Sequence, residues 1–486
     1  MKLKALVAGL EGLKAQGNLD IDIEEVECDS RKVKANGMFI AIVGFESDGH
    51  KFIKQAIENG ASAIMIQEGA KISKQDLVGD VTILMAPDTR VALAKIACNF
   101  YKNPSQKFKL VGVTGTKGKT TTTFIIKSIL EAQGKKVGLI GTVANYIGDK
   151  NLGESSRTTP ESLELQRLFN QMVEEKVDVV VMEVSSQALK LHRVDGCEFD
   201  IGVFTNFTED HISEKEHPDM EDYFKSKLKL IEMSKKSFIN ADDYKVSKIK
   251  KLLPEKDISS YGIDNEANLI AKDITVTNAS ADFKVKINGK NERAKIGIPG
   301  RFSVYNSLAA IDVAASLGCE AEKIKEALLK VKVPGRSELV ENEKGLTIML
   351  DYAHSPESLN SILNAVKGYT KGKVISVFGC GGDRDKTKRP IMGQISTSIA
   401  DFTIITSDNP RTENPEEIVK QIEEGAKKAK GKYITIVDRT EAIKHAISIA
   451  TKNDIIVLAG KGHETYQEIN GQKRHYDERE IIKEVI

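Results

Sequence analysis

Residues 109–123, Lys-Leu-Val-Gly-Val-Thr-Gly-Thr-Lys-Gly-Lys-Thr-Thr-Thr-Thr, run an apolar strand directly into a turn rich in glycine and threonine. A chain that does this must place that turn at the carboxyl end of a buried strand, which favours an α/β fold. Gly115 and Gly118 let the backbone curl so that several N–H groups point inward, with Thr116, Lys117 and Thr121 completing the loop. Lys119 supplies a cation for the β/γ-phosphates, and the Thr120 hydroxyl can ligate Mg²⁺. The following Phe124–Gly134 stretch has apolar residues at helical spacing and a closing glycine, so the turn opens onto a helix N-terminus that favours anions. The strict phosphate-loop pattern puts its first glycine at 113, where this chain has Val113, with Gly112 one place early. A plain Gly/Thr turn is the bland alternative.

At 486 residues the chain is too long for one core, and about 150 residues per domain gives roughly three. Lys and Arg number 71 against 70 Asp and Glu. Such a balance gives no overall field to attract nucleic acid or a bilayer. Five cysteines are scattered singly without CxxC spacing, which indicates neither a disulfide framework nor a zinc site and fits a reducing cytoplasm. The amino terminus has too short an apolar stretch for a signal peptide, and no run approaches a membrane span. A soluble cytoplasmic protein is expected, without nucleic-acid or membrane partners.

The first hundred residues alternate short apolar runs (38–43, 63–66, 81–85) with helical patterns at 51–58 and 88–101, and the polar break 102–106 follows. Buried parallel strands are expected at 136–140, 177–183 and 199–206. From 269 to 298 the period changes to alternation. Asn288-Gly289 between 283–287 and 294–298 predicts an antiparallel hairpin. After a second break at 333–336, strands are expected at 346–350, 373–378, 402–406, 433–437 and 454–458. Each is followed by unusual polar residues, including Asp351-Tyr-Ala-His354, Gly379–Arg384, Ser407–Arg411 and Gly460–Glu464. Open parallel sheets bind ligands just past their carboxyl ends, so these turns point to one cleft.

Glu183 ends one strand and Asp210-His211 follows the next, so a carboxylate and an imidazole could hold a divalent metal against the triphosphate gripped by Lys119 and Thr120. An acid capping a turn and an exposed histidine is the bland reading. Asp351 and His354 suit ribose or phosphate contact better than general-base catalysis. Arg384 and the turn Asp408-Asn409-Pro410-Arg411 offer guanidinium forks for a carboxylate, and Glu464 offers an acid for an ammonium, which together suit an amino acid. Surface ion pairing is the alternative for each taken singly.

Taken in order, these segments resemble the Mur ligase family of ATP-dependent amide-forming enzymes of peptidoglycan synthesis. The family's loop, Gly-Thr-Lys/Asn-Gly-Lys-Thr, reads here as Gly115–Thr120. Further matching blocks are Asp29-Ser-Arg31, Arg157-Thr-Thr-Pro160, Glu183-Val-Ser-Ser186, His192-Arg193, Thr205-Asn206 with Asp210-His211, Gly335-Arg336 with Glu338, Asp351–Pro356 and Gly379–Asp385. The resemblance implies three α/β domains: a uridine-binding domain at 1–103, a phosphate-loop ATPase domain with an added small antiparallel sheet at 104–333, and a Rossmann-like amino-acid domain at 334–486. It implies that Ser30 touches uridine, that Thr158, Thr159, Ser185 and Arg193 touch the muramoyl dipeptide, and that Asn306, Arg336 and Asp351 touch the nucleotide. Glu183 and His211 would bind Mg²⁺. Lys227, otherwise an ordinary helix lysine, would be carboxylated by CO₂ and orient a second Mg²⁺.

Asp408–Arg411 is similar to the form found in members that add meso-2,6-diaminopimelate rather than lysine. Arg411 would read the distal carboxylate, and Arg384, Asn409, Gly460 and Glu464 would complete the pocket. The implied reaction joins diaminopimelate to the D-glutamyl side chain of UDP-N-acetylmuramoyl-L-alanyl-D-glutamate through an acyl phosphate, by a monomer using ATP and Mg²⁺. The same reaction with L-lysine, a folylpolyglutamate synthetase-like ligase, and a phosphate-loop ATPase switch are the competing readings. Two positions depart from the family pattern: Phe302-Ser-Val-Tyr-Asn306, and Leu191 before His192-Arg193.

Overall fold

Two compact units divide the chain, Met1–Asn268 and Leu269–Ile486, in a computed structural model that describes residues 1–45, 47–73, 80–155, 157–213 and 216–486. Both units are α/β, as the alternation of buried strands and amphipathic helices requires.

The first unit opens on a five-stranded sheet in the order Lys14–Gln16, Thr82–Ala86, Ala61–Gln67, Gly37–Ile40, Glu25–Glu27. All neighbours are parallel except the edge strand Lys14–Gln16. Met38, Ile40, Ala63 and Met65 pack on one face, and Phe39, Ile64 and Ile66 pack on the other. Burial on both faces explains the unbroken apolar runs in the sequence. Helix Thr89–Phe100 starts where the Asp88 carboxylate accepts from the backbone N–H groups of Arg90 and Val91.

The second sheet of this unit runs Asp257–Gly262, Ser234–Asn240, Phe199–Phe204, Lys109–Thr114, Val179–Glu183, Val137–Ile140, Ala144–Ile147, Lys150–Glu154. It is parallel through Val137–Ile140 and closes with an antiparallel ribbon. The phosphate strand Lys109–Thr114 therefore lies between the strands that end in Glu183 and Phe204, which brings their carboxyl ends to both sides of the loop. Ser234–Asn240, Asp257–Gly262 and the Ala144–Glu154 ribbon are additions to the expected strands. Their polar residues gave no continuous apolar run, because they lie toward or at the edges of the sheet.

In the second unit, Lys272–Val276, Ala281–Ile287 and Lys290–Ile296 form an antiparallel sheet. Asn288 and Gly289 turn the hairpin with φ of 50° and 82°, the conformation a two-residue loop demands. The returning arm was expected at 294–298, but it starts at Lys290, directly opposite Ile287. The ladder extends through the polar Lys290–Arg293 segment because backbone pairing does not need apolar side chains.

Helices Arg301–Ser316 and Ala321–Lys330 follow. The remaining sheet runs Glu338–Leu339, Thr347–Asp351, Ile455–Ala459, Val374–Phe378, Phe402–Ile405, Tyr433–Thr435. Its five expected strands are mutually parallel. A two-stranded ribbon, Tyr466–Ile469 with Gln472–His475, extends from the last loop. Among the described residues no helix is long and apolar enough to cross a membrane.

Candidate active site

Gly115 has φ of +142°, and a Cβ there would stand 2.0 Å from Thr205 Oγ1, so only glycine admits this approach of strand end to loop. Thr205 and Asn206 clamp the loop from the neighbouring strand. Thr116 N–H donates to the Asn206 carbonyl at 2.9 Å and Lys117 N–H to Asn206 Oδ1 at 2.9 Å. The Asn206 amide and the Thr205 hydroxyl both donate to the Lys117 carbonyl. Helix Lys119–Ala132 begins at once, with Gly118 as its left-handed N-cap. Lys119 curls back over the loop, its Nζ donating to the carbonyls of Gly115 (2.9 Å) and Thr116 (3.0 Å).

Glu183 is 1 % exposed and ties three segments together. Its carboxylate accepts from the Thr120 hydroxyl at 3.0 Å, from Thr142 N–H at 2.8 Å and from the Thr142 hydroxyl at 3.2 Å. Thr142 Oγ1 in turn meets Thr158 Oγ1 at 3.0 Å. The Thr159 hydroxyl donates to the Glu183 carbonyl at 2.9 Å and accepts from Ser185 N–H at 3.0 Å. Arg193, buried, donates to the Thr159 carbonyl and pairs with Glu161 at 3.0 Å.

Lys227, 1 % exposed, donates to the same Gly115 carbonyl at 2.8 Å and sits over the Tyr223 ring. Burial, and then the neighbouring Lys119 charge, hold its ammonium well below the usual lysine range. Lys119, Lys227, Thr158, Ser185, Arg193 and His211 all line one cavity of about 220 Å³. Ser186 and His217 line it too; Ser186 stood in the sequence only as the end of the Glu183–Ser186 block, with no role of its own, and His217 was not singled out.

A Mg²⁺ ion prefers oxygen ligands, few of them from protein, and the convergence of the Thr120 hydroxyl on the Glu183 carboxylate beside the loop suits that. His211 faces Glu216 at 2.7 Å. Among the described residues no group of three or more His, Cys, Asp and Glu is gathered as a metal cluster. Ser30 does not line this cavity; its hydroxyl donates to Gln55 Oε1 at 2.7 Å in the amino-terminal sheet domain.

In the second unit Asp408, Asn409, Gly460 and Glu464 of the expected amino-acid residues come together. The Asn409 amide donates to Glu464 Oε2 at 2.8 Å, while its Oδ1 accepts from the buried Lys461 at 3.1 Å and from Glu468 N–H at 3.0 Å. Pro410 follows Asn409 in a buried turn. A Cβ on Gly460 would lie 2.6 Å from Asp408 Oδ2, so that glycine admits the acid. Arg411 donates to the Gly382 carbonyl at 2.7 Å and pairs with Glu468 at 3.2 Å. Arg384 is exposed. Burial, and then the Asp408 charge, push the Glu464 carboxyl up.

Of the residues expected at the nucleotide, Arg336 stacks on the Tyr352 ring at 4.6 Å, and Asp351 accepts from Ser337 and Ala353 N–H. Asn306 is buried in helix Arg301–Ser316. Lys461, Glu468 and Thr142 carried no motif-independent signal in the sequence, because their roles come from partners distant in the chain.

A parallel sheet whose central strand feeds a glycine-clamped loop and a helix N-terminus defines a phosphate-loop α/β protein. Family models match three stretches: "Mur ligase family, catalytic domain" over 22–101, "Mur ligase middle domain" over 113–314 and "Mur ligase, glutamate ligase domain" over 335–462. A UDP-N-acetylmuramoyl-L-alanyl-D-glutamate–2,6-diaminopimelate ligase of Caldanaerobacter subterraneus subsp. tengcongensis is 50% identical over 99% of this chain and 98% of its own. One of the same description from Clostridium acetobutylicum is 47% identical over 100% and 99%. Among solved structures, one so described matches with TM-score 0.72 at 28% identity, covering 100% of this chain and 98% of that chain. The MurF ligase of Thermotoga maritima in complex with ADP matches in fold, with TM-score 0.61 at 21% identity over 91% and 95%. The chain belongs to the Mur ligase family.

Proposed function

We propose that this protein ligates meso-2,6-diaminopimelate to the D-glutamyl side-chain carboxylate of UDP-N-acetylmuramoyl-L-alanyl-D-glutamate, consuming ATP, in the cytoplasm and as a monomer of three modules, 1–103, 104–333 and 334–486. The observation that carries the reading is the shared cavity. Lys119 of the phosphate loop borders the same space as Thr158, Ser185 and Arg193, so phosphoryl donor and carboxylate acceptor have one meeting place. The full-length likeness to ligases of that description supports the choice of substrates.

Amide formation from a carboxylate in water is uphill, so the carboxylate must first be activated. Lys119 and the N–H groups of the first turn of helix Lys119–Ala132 neutralise the γ-phosphate as the carboxylate attacks it in line, so that the bond to the β-phosphate breaks, ADP leaves and an acyl phosphate forms. Arg193 and the Thr158, Thr159 and Ser185 hydroxyls hold the dipeptide. Bound Mg²⁺ supplies charge neutralisation on the phosphoryl oxygens, and Thr120, Glu183, His211 and carboxylated Lys227 would hold it. Burial favours the neutral Lys227 amine, whose lone pair can add to CO₂; loss of one proton then leaves a carbamate, and a cation becomes an anion. Asn306, Arg336 and Asp351 are assigned to the nucleotide and Ser30 to uridine. Arg384, Asp408, Asn409, Arg411, Gly460 and Glu464 are assigned to the amino acid, with Glu464 facing its distal ammonium.

The test is incubation with ATP, Mg²⁺ and the nucleotide dipeptide, comparing diaminopimelate with L-lysine, followed by mass spectrometry. Tripeptide product with diaminopimelate, and far less with lysine, is expected. Phosphate release that ignores both dipeptide and amino acid would instead indicate an ATPase switch.

A further inference from the structure

A hydrogen-bonded chain that the reaction as described leaves idle runs back from the cavity wall, where Ser186 and His217 lie, to Asp222. Ser186 Oγ lies 3.0 Å from His217 Nε2, and His217 Nδ1 lies 2.6 Å from Asp222 Oδ2. Ser186 is 4 % exposed and His217 is fully buried, yet both border the cavity that holds Lys119 and Lys227. Two segments, 31 residues apart between Ser186 and His217, converge to make it: the first residue of helix Ser186–Lys190, and the loop before helix Met220–Met233 together with the first turn of that helix. An ionised carboxylate can only accept, so Asp222 fixes the imidazole proton on Nδ1. Nε2 is then left as an acceptor for the Ser186 hydroxyl.

The surroundings keep that imidazole neutral and ready to receive a proton. Burial pushes His217 below the usual imidazole range against the pull of Asp222, and the Lys190 and Lys227 charges act in the same direction as burial. Lys190 also donates to Asp222 Oδ2 at 2.8 Å, which tempers that carboxylate. The Tyr223 ring packs on the imidazole at 5.0 Å, and Glu216 is its chain neighbour at the cavity wall. This is the order hydroxyl, imidazole, carboxylate that moves a proton away from a reacting centre.

Resting on the acyl-phosphate reading, we infer that Ser186, backed by His217 and Asp222, is the relay that takes the proton from the attacking amine. As the neutral amine nitrogen bonds to the acyl carbon, the carbon–oxygen bond to phosphate breaks and phosphate leaves with the electron pair. One N–H proton passes to Ser186 Oγ while the hydroxyl's own proton passes to His217 Nε2. The resulting imidazolium is held by Asp222 until it loses the proton to solvent. Ser186 is the group that meets the amine; His217 and Asp222 act through it.

Hydroxylamine separates this from a merely structural role, because it is unprotonated at neutral pH and attacks acyl phosphates without a base. Ser186→Ala and Asp222→Asn are assayed beside the wild type with ATP, Mg²⁺ and the nucleotide dipeptide. The amide at Asp222 would move the imidazole proton to Nε2 and close the acceptor. Each variant is expected to lose about 100-fold in kcat with diaminopimelate while hydroxamate formation stays within about twofold of wild type. An equal fall in both reactions, or no fall in either, overturns the relay. Absence of hydroxamate from the wild type overturns the acyl-phosphate reading itself, and the relay with it.

Discussion

Arg389 is fully buried, and its charge is met by Glu413, whose two carboxylate oxygens accept at 2.9 and 3.0 Å. The hydrogen bond from Arg389 comes first, and the Asp383 N–H and Lys386 add to it, so the Glu413 carboxyl is held down at about 2. A depressed carboxyl stabilises the fold above its unfolded value of 4.5, and that stabilisation is lost as pH falls through the folded value. Urea midpoints of the wild type should therefore drop between pH 4.5 and about 2. Glu413→Gln should lower the midpoint at pH 7 and flatten the curve across that window. An unchanged slope in the variant would show that other carboxylates govern acid sensitivity. Because Gly381 and Asp383 are tied to this pair, the pair also fixes the loop from which Arg384 projects.

At the scale of elements, helices Lys388–Ile399 and Pro415–Ala426 cross with their backbones in contact. A Cβ at Gly425 would stand 1.7 Å from the Pro390 carbonyl oxygen, and one at Gly393 would stand 2.0 Å from that of Ile422. Each helix continues a loop of the proposed amino-acid site, Gly379–Asp385 and Ser407–Asn414 respectively. Gly425→Ala should thus cost about 1–3 kcal/mol by overpacking, read as a lower urea midpoint, and raise KM for the amino acid more than KM for ATP. Elements of this kind were unevenly legible. Central strands such as Val179–Glu183 and Val374–Phe378 are buried on both faces and mostly apolar, and they stand out in sequence. Ser234–Asn240 begins Ser-Lys-Lys-Ser and does not, since its pairing with Phe199–Phe204 is decided by the ladder.

Each unit carries its own buried cores, so the whole molecule is not one cooperative block by construction. The phosphate loop belongs entirely to Met1–Asn268. ADP with Mg²⁺ at 100 times its Kd should stabilise the cooperative step containing that loop by about 2.7 kcal/mol. Hydrogen exchange should show the protection beginning at 109–123 and the strand ends at Glu183 and Thr205. Protection confined to the second unit would remove the loop from nucleotide binding.

By itself the sequence determined the α/β class, the phosphate loop and the family, because these rest on contiguous residues: an apolar run, two glycines and a Lys-Thr pair at fixed spacing. Tertiary structure alone decided which polar side chains face one another. It turned Arg411 onto Glu468 and Gly382, put Lys227 on the carbonyl that Lys119 also holds, and lined up Ser186, His217 and Asp222. Hydrogen-bond partners separated by tens of residues are chosen by where strands end and loops return, and no local periodicity encodes that distance.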